Sequence, residues 1–160
     1  MAASGLTHLN ARGEAHIVDI ADKPVTRRRA VAQARITAQA DTVIAIMGGA
    51  LKKGDALAIA RIAGIMAAKK TAELIPLCHA IALTRVEVDI VAETATTIVV
   101  RASAETLAQT GVEMEALIAA STAALTLYDM AKAIDRAMTI TDLCVLEKSG
   151  GKSGDFVRAP

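Results

Sequence analysis

The sequence predicts an α+β domain with a mostly antiparallel sheet packed against helices. Segments with the two-residue alternation of strands are interspersed with longer apolar segments typical of helices, in the order strand, strand, helix, helix, strand, strand, helix, strand. The 160 residues are enough for a single domain with its own core, and 53% of them are hydrophobic against 22% charged. This composition excludes extensive disorder.

The first predicted elements lie before residue 40. Residues 1–14 are polar and are expected to form a flexible arm. Residues 15–20 are short and apolar enough for an edge strand, and Pro24 interrupts the stretch that follows. Residues 29–37 alternate between polar and apolar side chains, which predicts a half-buried strand.

Two helices are predicted next. Residues 38–47 form a short helix that ends at Gly48-Gly49. Residues 56–74 form a longer helix, and Asp55 is placed to cap its first turn. The second helix is apolar almost all round, so we expect it to be covered on more than one face.

The second half of the chain is predicted to contain a hairpin, a long helix and a last strand. Residues 83–92 and 97–104 alternate well and are joined by a turn-like segment, which predicts an antiparallel pair. Residues 112–137 form the long helix, and residues 140–146 the last strand. Residues 148–160 are rich in glycine and serine and are expected to form a flexible tail.

The composition also limits the partners. Alanine occurs 35 times and the aromatic residues are Tyr128 and Phe156, so the elements must approach closely, and we expect further burial by self-association. The formal net charge of +1 provides no global attraction to nucleic acid or anionic membranes. Three consecutive arginines, 27–29, form a basic patch, but aromatic residues for base stacking are nearly absent.

The cellular location is expected to be the cytoplasm. The first residues lack the basic start and apolar run of a signal peptide, and runs without a polar side chain, such as residues 62–68, are too short to span a membrane. Two cysteines do not make a disulfide framework.

A lysine-rich loop precedes the second helix and has two interpretations. Lys52-Lys53-Gly54-Asp55 places a lysine beside backbone N–H groups that favour anions. A solvated loop that ends in a helix cap explains the same residues equally well.

The long helix contains Asp129 and Lys132, which are three residues apart and share a face. A surface ion pair is the simple interpretation. The apolar surroundings favour a partly desolvated pair instead, and a lysine in such a place has a lowered pKa and serves as a general acid or base.

Two further clusters are ambiguous from their residues alone. Cys78 and His79 suggest a dyad or metal ligands, but adjacent side chains usually point apart and the chain has no CxxC or HxxxH spacing. We therefore expect no protein-bound metal. Glu113-Met114-Glu115 opens the long helix, where two acids complement the helix dipole without further function.

The tail imitates a phosphate-binding loop. Gly151-Lys152-Ser153 resembles the end of GxxxxGK[ST], but the first glycine of that motif would fall on Leu146. A tail of this kind could still fold over a phosphate-bearing ligand, and a disordered terminus is the commoner outcome.

The chain resembles the cyclic pyranopterin monophosphate synthase family, the molybdenum cofactor biosynthesis protein C. The resemblance runs nearly from end to end and is carried by IPLCH, GVEMEAL and LYDM-K in this order, and by four segments: LTHLN with GEAHIVDI (6–20), KKGDALAIARIAGIMAAKKTAELIPLCH (52–79), TGVEMEALIAASTAALTLYDMAKAID (110–135) and KSGGKSGDF (148–156).

The resemblance implies a ferredoxin-like fold, a homohexamer built as a trimer of dimers, and active sites across dimer interfaces. It also implies a lyase reaction. Cyclised dihydro-GTP, 3′,8-cyclo-7,8-dihydro-GTP, becomes cyclic pyranopterin monophosphate while pyrophosphate leaves and the purine skeleton rearranges. A radical S-adenosylmethionine enzyme that cyclises GTP would be the functional partner, and no tightly bound cofactor is expected beyond Mg²⁺ with the triphosphate.

The same resemblance implies roles for individual residues. Lys53 and Lys132 correspond to the family's catalytic lysines, and Asp129 to its active-site acid. The segments that match its substrate-binding positions are Leu77, Cys78, His79, Glu113, Met114 and Glu115. The reaction also needs cations for the triphosphate, and the candidates are Arg27, Lys69, Lys148 and Lys152.

The sequence departs from the family pattern at two positions. Ala80 replaces the usual proline after PLCH, and Lys52 stands where a histidine or proline is frequent. Two alternatives to a synthase are a non-catalytic nucleotide-binding module and a purely structural oligomer. A thermal shift with GTP would separate the structural oligomer from the other two, and turnover would separate those.

Overall fold

The sheet and helices of the chain follow the predicted order closely. A computed structural model describes residues 8–10, 12–152 and 154–159, and within them it contains one five-stranded sheet and four helices. The elements are β1 (Thr26–Thr37), α1 (Ala40–Met47), α2 (Ala56–Ala68), α3 (Thr71–Leu74), β2 (Leu83–Thr94), β3 (Thr97–Ala108), α4 (Glu113–Ala131), β4 (Thr139–Ser149) and β5 (Phe156–Val157).

The strands lie in the order β2-β3-β1-β4-β5, and every neighbouring pair is antiparallel. β1 and β3 therefore occupy the middle, although β1 comes first in the chain. The first four strands and their connecting helices alternate as strand, helix, strand, strand, helix, strand, which is the order of ferredoxin-like folds. The predicted α+β class with an antiparallel sheet is confirmed.

The core lies between the sheet and the helices and is built from small side chains. Along β1 the residues that face the helices are fully buried, and they are Ala30, Ala32, Ala34 and Ile36. Helices α2 and α4 run antiparallel and touch at Gly64, where an added methyl carbon would lie 2.8 Å from the backbone oxygen of Ala119. This close crossing is the packing that an alanine-rich composition favours.

The predicted strand over residues 15–20 is wrong. Ala15 forms an isolated bridge with Leu9, and the five residues after it take no part in a strand. The Val18 carbonyl oxygen instead contacts His79 Nε2 at 2.7 Å, which holds this segment against the loop before β2 and not on an edge of the sheet. Residues 1–7 of the predicted arm lie outside the described residues.

Both long helices end earlier than predicted. The helix predicted over residues 56–74 is interrupted after Ala68, whose carbonyl accepts a hydrogen bond from the Thr71 hydroxyl at 2.9 Å. The helix predicted over residues 112–137 ends at Ala131. The chain then turns and is held by Asp135, a residue discussed below.

The last strand is longer than predicted. β4 continues to Ser149, and Phe156 of β5 pairs with Lys148. The segment predicted to be a flexible tail therefore contributes residues to the sheet.

The face of the sheet away from the helices carries charged side chains. Arginines of β1 form ion pairs across this face, with the closest N–O distances Arg27–Glu105 at 2.6 Å, Arg29–Glu147 at 3.1 Å and Arg35–Glu93 at 3.0 Å. In the part of the chain that the structure describes, no helix is long and apolar enough to cross a bilayer.

Candidate active site

Two lysines converge on one carboxylate where α2 begins and α4 ends. Lys53 Nζ lies 2.9 Å from Asp129 Oδ2 and donates also to the Asp129 backbone oxygen at 2.9 Å. Lys132 Nζ lies 2.7 Å from Asp129 Oδ1. The antiparallel packing of the two helices produces this meeting, because it places the loop before α2 beside the last turn of α4.

The loop conformation explains how Lys53 reaches Asp129. Gly54 has a φ of 101°, a backbone conformation that side chains disfavour, and it turns the chain between Lys53 and the helix. Asp55 then caps α2 by accepting a hydrogen bond from the Ala58 N–H at 2.9 Å. The cap predicted from the sequence is confirmed, and the loop is exposed as in the solvated-loop interpretation, with Lys53 fixed on a carboxylate.

The electrostatics of this cluster differ from the expectation. The ammonium groups of Lys132 and Lys53 lower the pKa of Asp129 to about 2. The hydrogen bond to Asp129 raises the pKa of Lys132, so the predicted lowered lysine pKa is wrong for this residue. The three side chains are 45% to 57% exposed, and the desolvation that would lower a lysine pKa is therefore weak.

A cavity of about 390 Å³ opens beside the cluster. Its lining residues are Lys53, Tyr128, Lys132, Ala133 and Arg136. Arg136 is a further cation that the sequence reasoning did not select. The break of α4 before this residue is what turns Arg136 toward the cavity, and no sequence signal located that break.

The residues of the PLCH segment lie at the opposite end of α4. Leu77, Cys78 and His79 line a cavity of about 300 Å³ together with Lys23 and Gly111, the latter just before α4. His79 Nε2 lies 2.7 Å from the Val18 carbonyl oxygen. This contact holds the segment before β1 over the cavity and orients the imidazole.

The acidic first turn of α4 lies beside these residues. Glu115 is 3% exposed, and burial, with a contribution from Glu113, raises its pKa. Burial and the same two carboxylates raise the pKa of the Cys78 thiol.

Glu115 also lines a cavity of about 140 Å³ with Lys69. Lys148 of β4 approaches Glu113 at 4.0 Å. Met114 is half-buried between the two glutamates.

Of the neighbouring arginines of β1, the structure places Arg28 and not Arg27 at this end of the helix. Arg27 points to the open face of the sheet, where it pairs with Glu105. Arg28 is 8% exposed and lines a cavity of about 460 Å³ whose other charged residues are Asp22, Lys23 and Lys152. Strand alternation is the signal that could have separated the two arginines, because consecutive side chains point to opposite faces.

The surroundings of Arg28 are shaped to the guanidinium. Gly150 and Gly151 cover it, and a methyl group on Gly151 would overlap the Arg28 side chain. Within the described residues, its guanidinium makes one hydrogen bond, from Nε to the Ala108 oxygen at 3.4 Å. Since an arginine has five N–H donors, Arg28 retains donors for an anion in the cavity.

The site residues thus form two groups and not one. From Glu113 to Asp129 the helix rises about 24 Å, at ~1.5 Å per residue. Lys53, Asp129 and Lys132 lie at one end, and the PLCH segment, the two glutamates, Arg28, Lys69, Lys148 and Lys152 at the other. Among residues 8–10, 12–152 and 154–159, no group of three His, Cys, Asp or Glu side chains could hold a metal ion.

The lysine–aspartate cluster and the cationic cavities are chemically suited to an enzyme that acts on an anionic small molecule. The MoaC family profile matches residues 17–151. A protein of Parvibaculum lavamentivorans is 57% identical over 157 residues, 98% of each chain. Proteins of Thermomicrobium roseum and Dinoroseobacter shibae are 54% identical over 154 residues, 96% of this chain and 93% and 98% of theirs. All three are named cyclic pyranopterin monophosphate synthase.

The chain belongs to the MoaC family. The predicted resemblance is confirmed, and with it the predictions that the chain is an enzyme and that it acts in molybdenum cofactor biosynthesis.

Proposed function

We propose that this enzyme converts 3′,8-cyclo-7,8-dihydro-GTP to cyclic pyranopterin monophosphate with release of pyrophosphate. The observation that carries the proposal is the cluster in which Lys53 and Lys132 share the Asp129 carboxylate. The chain is also 57% identical to a protein named cyclic pyranopterin monophosphate synthase. Simple nucleotide binding requires no acid–base set of this kind, whereas the rearrangement of a purine and a sugar requires several proton transfers.

The charge state of the cluster supports a division of roles. Asp129 stays ionised near neutral pH because its pKa lies near 2, and the raised pKa of Lys132 keeps that lysine protonated. Lys132 is therefore the proposed acid. Lys53 is proposed as the base in the form that has given up its proton. Asp129 holds both amines at hydrogen-bond distance and stabilises the positive charge.

Closure of the cyclic phosphate needs a base and a stabilised leaving group. A sugar hydroxyl attacks the α-phosphorus, its proton passes to the base, and the bond to the β-phosphate breaks, so that pyrophosphate leaves with its electron pair. Arg28, Lys23 and Lys152 surround a cavity where donors and positive charge can stabilise the departing phosphates. We assign to Arg28 the phosphate-binding role for which the sequence analysis named Arg27 as a candidate.

The remaining residues are proposed to position the purine-derived end of the substrate. Leu77, Cys78 and His79 line one cavity, and Glu115 and Lys69 the next. Glu113 and Met114 open the first turn of α4, and Lys148 lies 4.0 Å from Glu113. Holding the ring system in one orientation is a sufficient contribution for such residues.

The distance between the two groups of residues supports a site shared by two copies of the chain. A span of about 24 Å along one helix is too long for one nucleotide-sized reaction centre. If a second copy packs with its α4 antiparallel to the first, each Asp129 end meets the Glu113 end of the partner, and the two-fold axis makes two complete sites.

The exposed surface of the helices supports the same arrangement. Leu125 of α4 is 59% exposed, and on α2 the exposed apolar residues Ile59, Ile62 and Met66 follow one face of the helix. An apolar surface of this kind favours burial against another copy. The homohexamer built from three such dimers stays a prediction.

A partner enzyme and a metal ion that the reaction would involve also remain predictions. The substrate is the product of a GTP cyclisation, so a radical S-adenosylmethionine enzyme would act before this one. Mg²⁺ would accompany the triphosphate, and omission of Mg²⁺ from the assay tests that requirement. The cytoplasmic location expected from the sequence likewise stays a prediction.

The proposal is tested by anaerobic turnover of the cyclised dihydro-GTP by the purified chain. Pyrophosphate and the fluorescent pterin obtained after oxidation are measured for wild type, Lys53→Ala and Lys52→Ala. Because an acid–base group contributes about 10²- to 10⁴-fold, Lys53→Ala should lose at least about 100-fold in kcat.

Lys52→Ala is the matched control, since it removes an exposed positive charge from the same loop without touching Asp129. Near wild-type turnover by Lys52→Ala is expected. Absence of product from a folded wild-type chain, or equal losses in both variants, would contradict the proposal.

A further inference from the structure

Asp135 is a buried carboxylate to which neither the family resemblance nor the proposed chemistry gives a role. Its residue is 2% exposed. One carboxylate oxygen accepts the backbone N–H of Gln39 at 2.9 Å, the other that of Ala137 at 3.0 Å, and the Thr42 hydroxyl bonds to it as well. A buried charge is costly unless it is hydrogen-bonded, and here three donors compensate it.

These contacts tie two distant parts of the chain together. Gln39 and Thr42 belong to the N-terminus of α1, whose dipole favours a negative charge, and Asp135 lies in the turn after α4. The hydrogen bond from Gln39 lowers the pKa of Asp135, so the carboxylate stays ionised and the connection persists at neutral pH.

The turn that Asp135 holds carries two cations of the active-site cavity. Lys132 begins the turn and Arg136 follows Asp135 directly, and both line the cavity with Lys53. On its other side the turn is held by the Tyr128 hydroxyl, which donates to the Arg136 backbone oxygen at 3.4 Å. The backbone N–H of Asp135 also donates to Ala131 at 3.1 Å, which closes the end of α4.

We propose that Asp135 is a positioning residue: by fixing the turn of residues 132–137 against the N-terminus of α1, it holds the Lys132 ammonium on the Asp129 carboxylate. The structural link does not depend on the substrate. Its importance for catalysis rests on the proposed function.

The test uses Asp135→Ala and Asp135→Asn in the full chain. In each variant the carboxylate of Asp129 is titrated by carbon-13 NMR, and kcat and KM are measured. The pKa of Asp129, about 2 in the intact cluster, should rise toward its ordinary value of 3.8 because Lys132 is no longer held in place. The kcat should fall about tenfold with little change in KM, as expected for misplaced catalytic groups.

Ile90→Val is the control for a general loss of stability, because it shortens a buried side chain of β2, far from the turn. It should lower the melting temperature and leave the titration of Asp129 unchanged. Asp135→Asn preserves the shape of the side chain, so it keeps the test open if Asp135→Ala fails to fold.

An unchanged Asp129 pKa in a folded Asp135 variant would overturn the proposal. A shifted pKa supports the positioning role even if no variant turns over the cyclised nucleotide, in which case the proposed function alone has failed. A shift in Ile90→Val as large as in the Asp135 variants would also overturn it, because the link would then be general destabilisation.

Discussion

The two ends of helix α4 place carboxylates in opposite environments. At the C-terminal end Asp129 is 57% exposed between two ammonium groups, and its pKa is lowered to about 2. At the N-terminal end Glu115 is 3% exposed, and burial raises its pKa. One carboxylate therefore stays charged throughout the neutral range, whereas the other is closer to its neutral form.

This difference indicates what each end can do. A permanently charged carboxylate with two lysines can organise proton transfers. A buried carboxyl group beside Cys78 and His79 is suited to contact the polar edge of a ring system. We therefore expect variants at the C-terminal end to lower kcat, and variants at the N-terminal end to raise KM.

The largest effect at the N-terminal end is expected for Arg28→Ala. The variant removes a guanidinium with donors toward the cavity, and loss of a hydrogen bond to a charged group costs about 1.5–3 kcal/mol, which corresponds to a KM higher by about 10- to 150-fold. The measurement is the KM for the cyclised dihydro-GTP.

Arg27→Ala is the matched control, since its guanidinium binds Glu105 on the open face of the sheet. It should leave KM near the wild-type value. A higher KM for Arg27→Ala than for Arg28→Ala would refute the assignment of phosphate binding to the buried arginine.

A smaller effect is expected for the stability of Glu115→Gln. The pKa of Glu115 is higher in the folded chain than in the unfolded chain. As the pH falls, the folded chain therefore takes up the Glu115 proton first, and this protonation removes a charge that destabilises the fold. Glu115→Gln removes the charge, so its free energy of unfolding at neutral pH should equal or exceed that of wild type by about 1 kcal/mol, and the difference should shrink as the pH falls toward ~4.5.

Asp129→Asn provides the contrast. The pKa of Asp129 is lowered in the folded chain. The stabilisation that its charge adds to the free energy of unfolding is therefore complete above the ordinary pKa of 3.8, and it is lost only as the pH falls toward about 2. Denaturant titrations between about pH 4.5 and 8 should therefore show a pH-dependent difference for Glu115→Gln and a constant one for Asp129→Asn. The same pH profile in both variants would contradict the comparison.

Much of the fold could be predicted from local patterns, and the failures have tertiary causes. Polar and apolar side chains alternate along the hairpin β2–β3, as expected for a sheet that is covered by helices on one face only. This alternation fixes which side chains face the helices, so the pairing of the two strands could be predicted from the sequence. Residues 15–20 have similar apolar character, but their backbone is held at Val18 by His79, 61 residues away in sequence. The end of α4 depends on Asp135 reaching Gln39, 96 residues away in sequence, which no window of local sequence contains.

The candidate residues could be named from motifs, but their grouping could not. LYDM-K and IPLCH identify Asp129, Lys132 and His79. The motifs do not indicate that Asp129 and Lys132 lie at one end of the 19-residue helix α4 and His79 at the other. The exposed positions of Lys53 and Lys132 could not be predicted from the sequence either, because apolar neighbours on a helix do not show whether the end of the helix is covered by other elements. Strand alternation alone could have favoured Arg28 over Arg27.

The measurement that tests the central claim most directly is subunit complementation between Asp129→Asn and His79→Ala, assayed at a substrate concentration far below the KM of His79→Ala, where each variant by itself has little activity. The two chains are co-expressed with different affinity tags, and assemblies that carry both tags are purified and assayed. If each site combines the Asp129 end of one copy with the His79 end of another, every mixed dimer contains one intact site, and such dimers should recover about half of the wild-type activity. Mixed assemblies with no more activity than either variant alone would show that a site is built within one chain, and the account of α4 as a bridge between two half-sites would be contradicted.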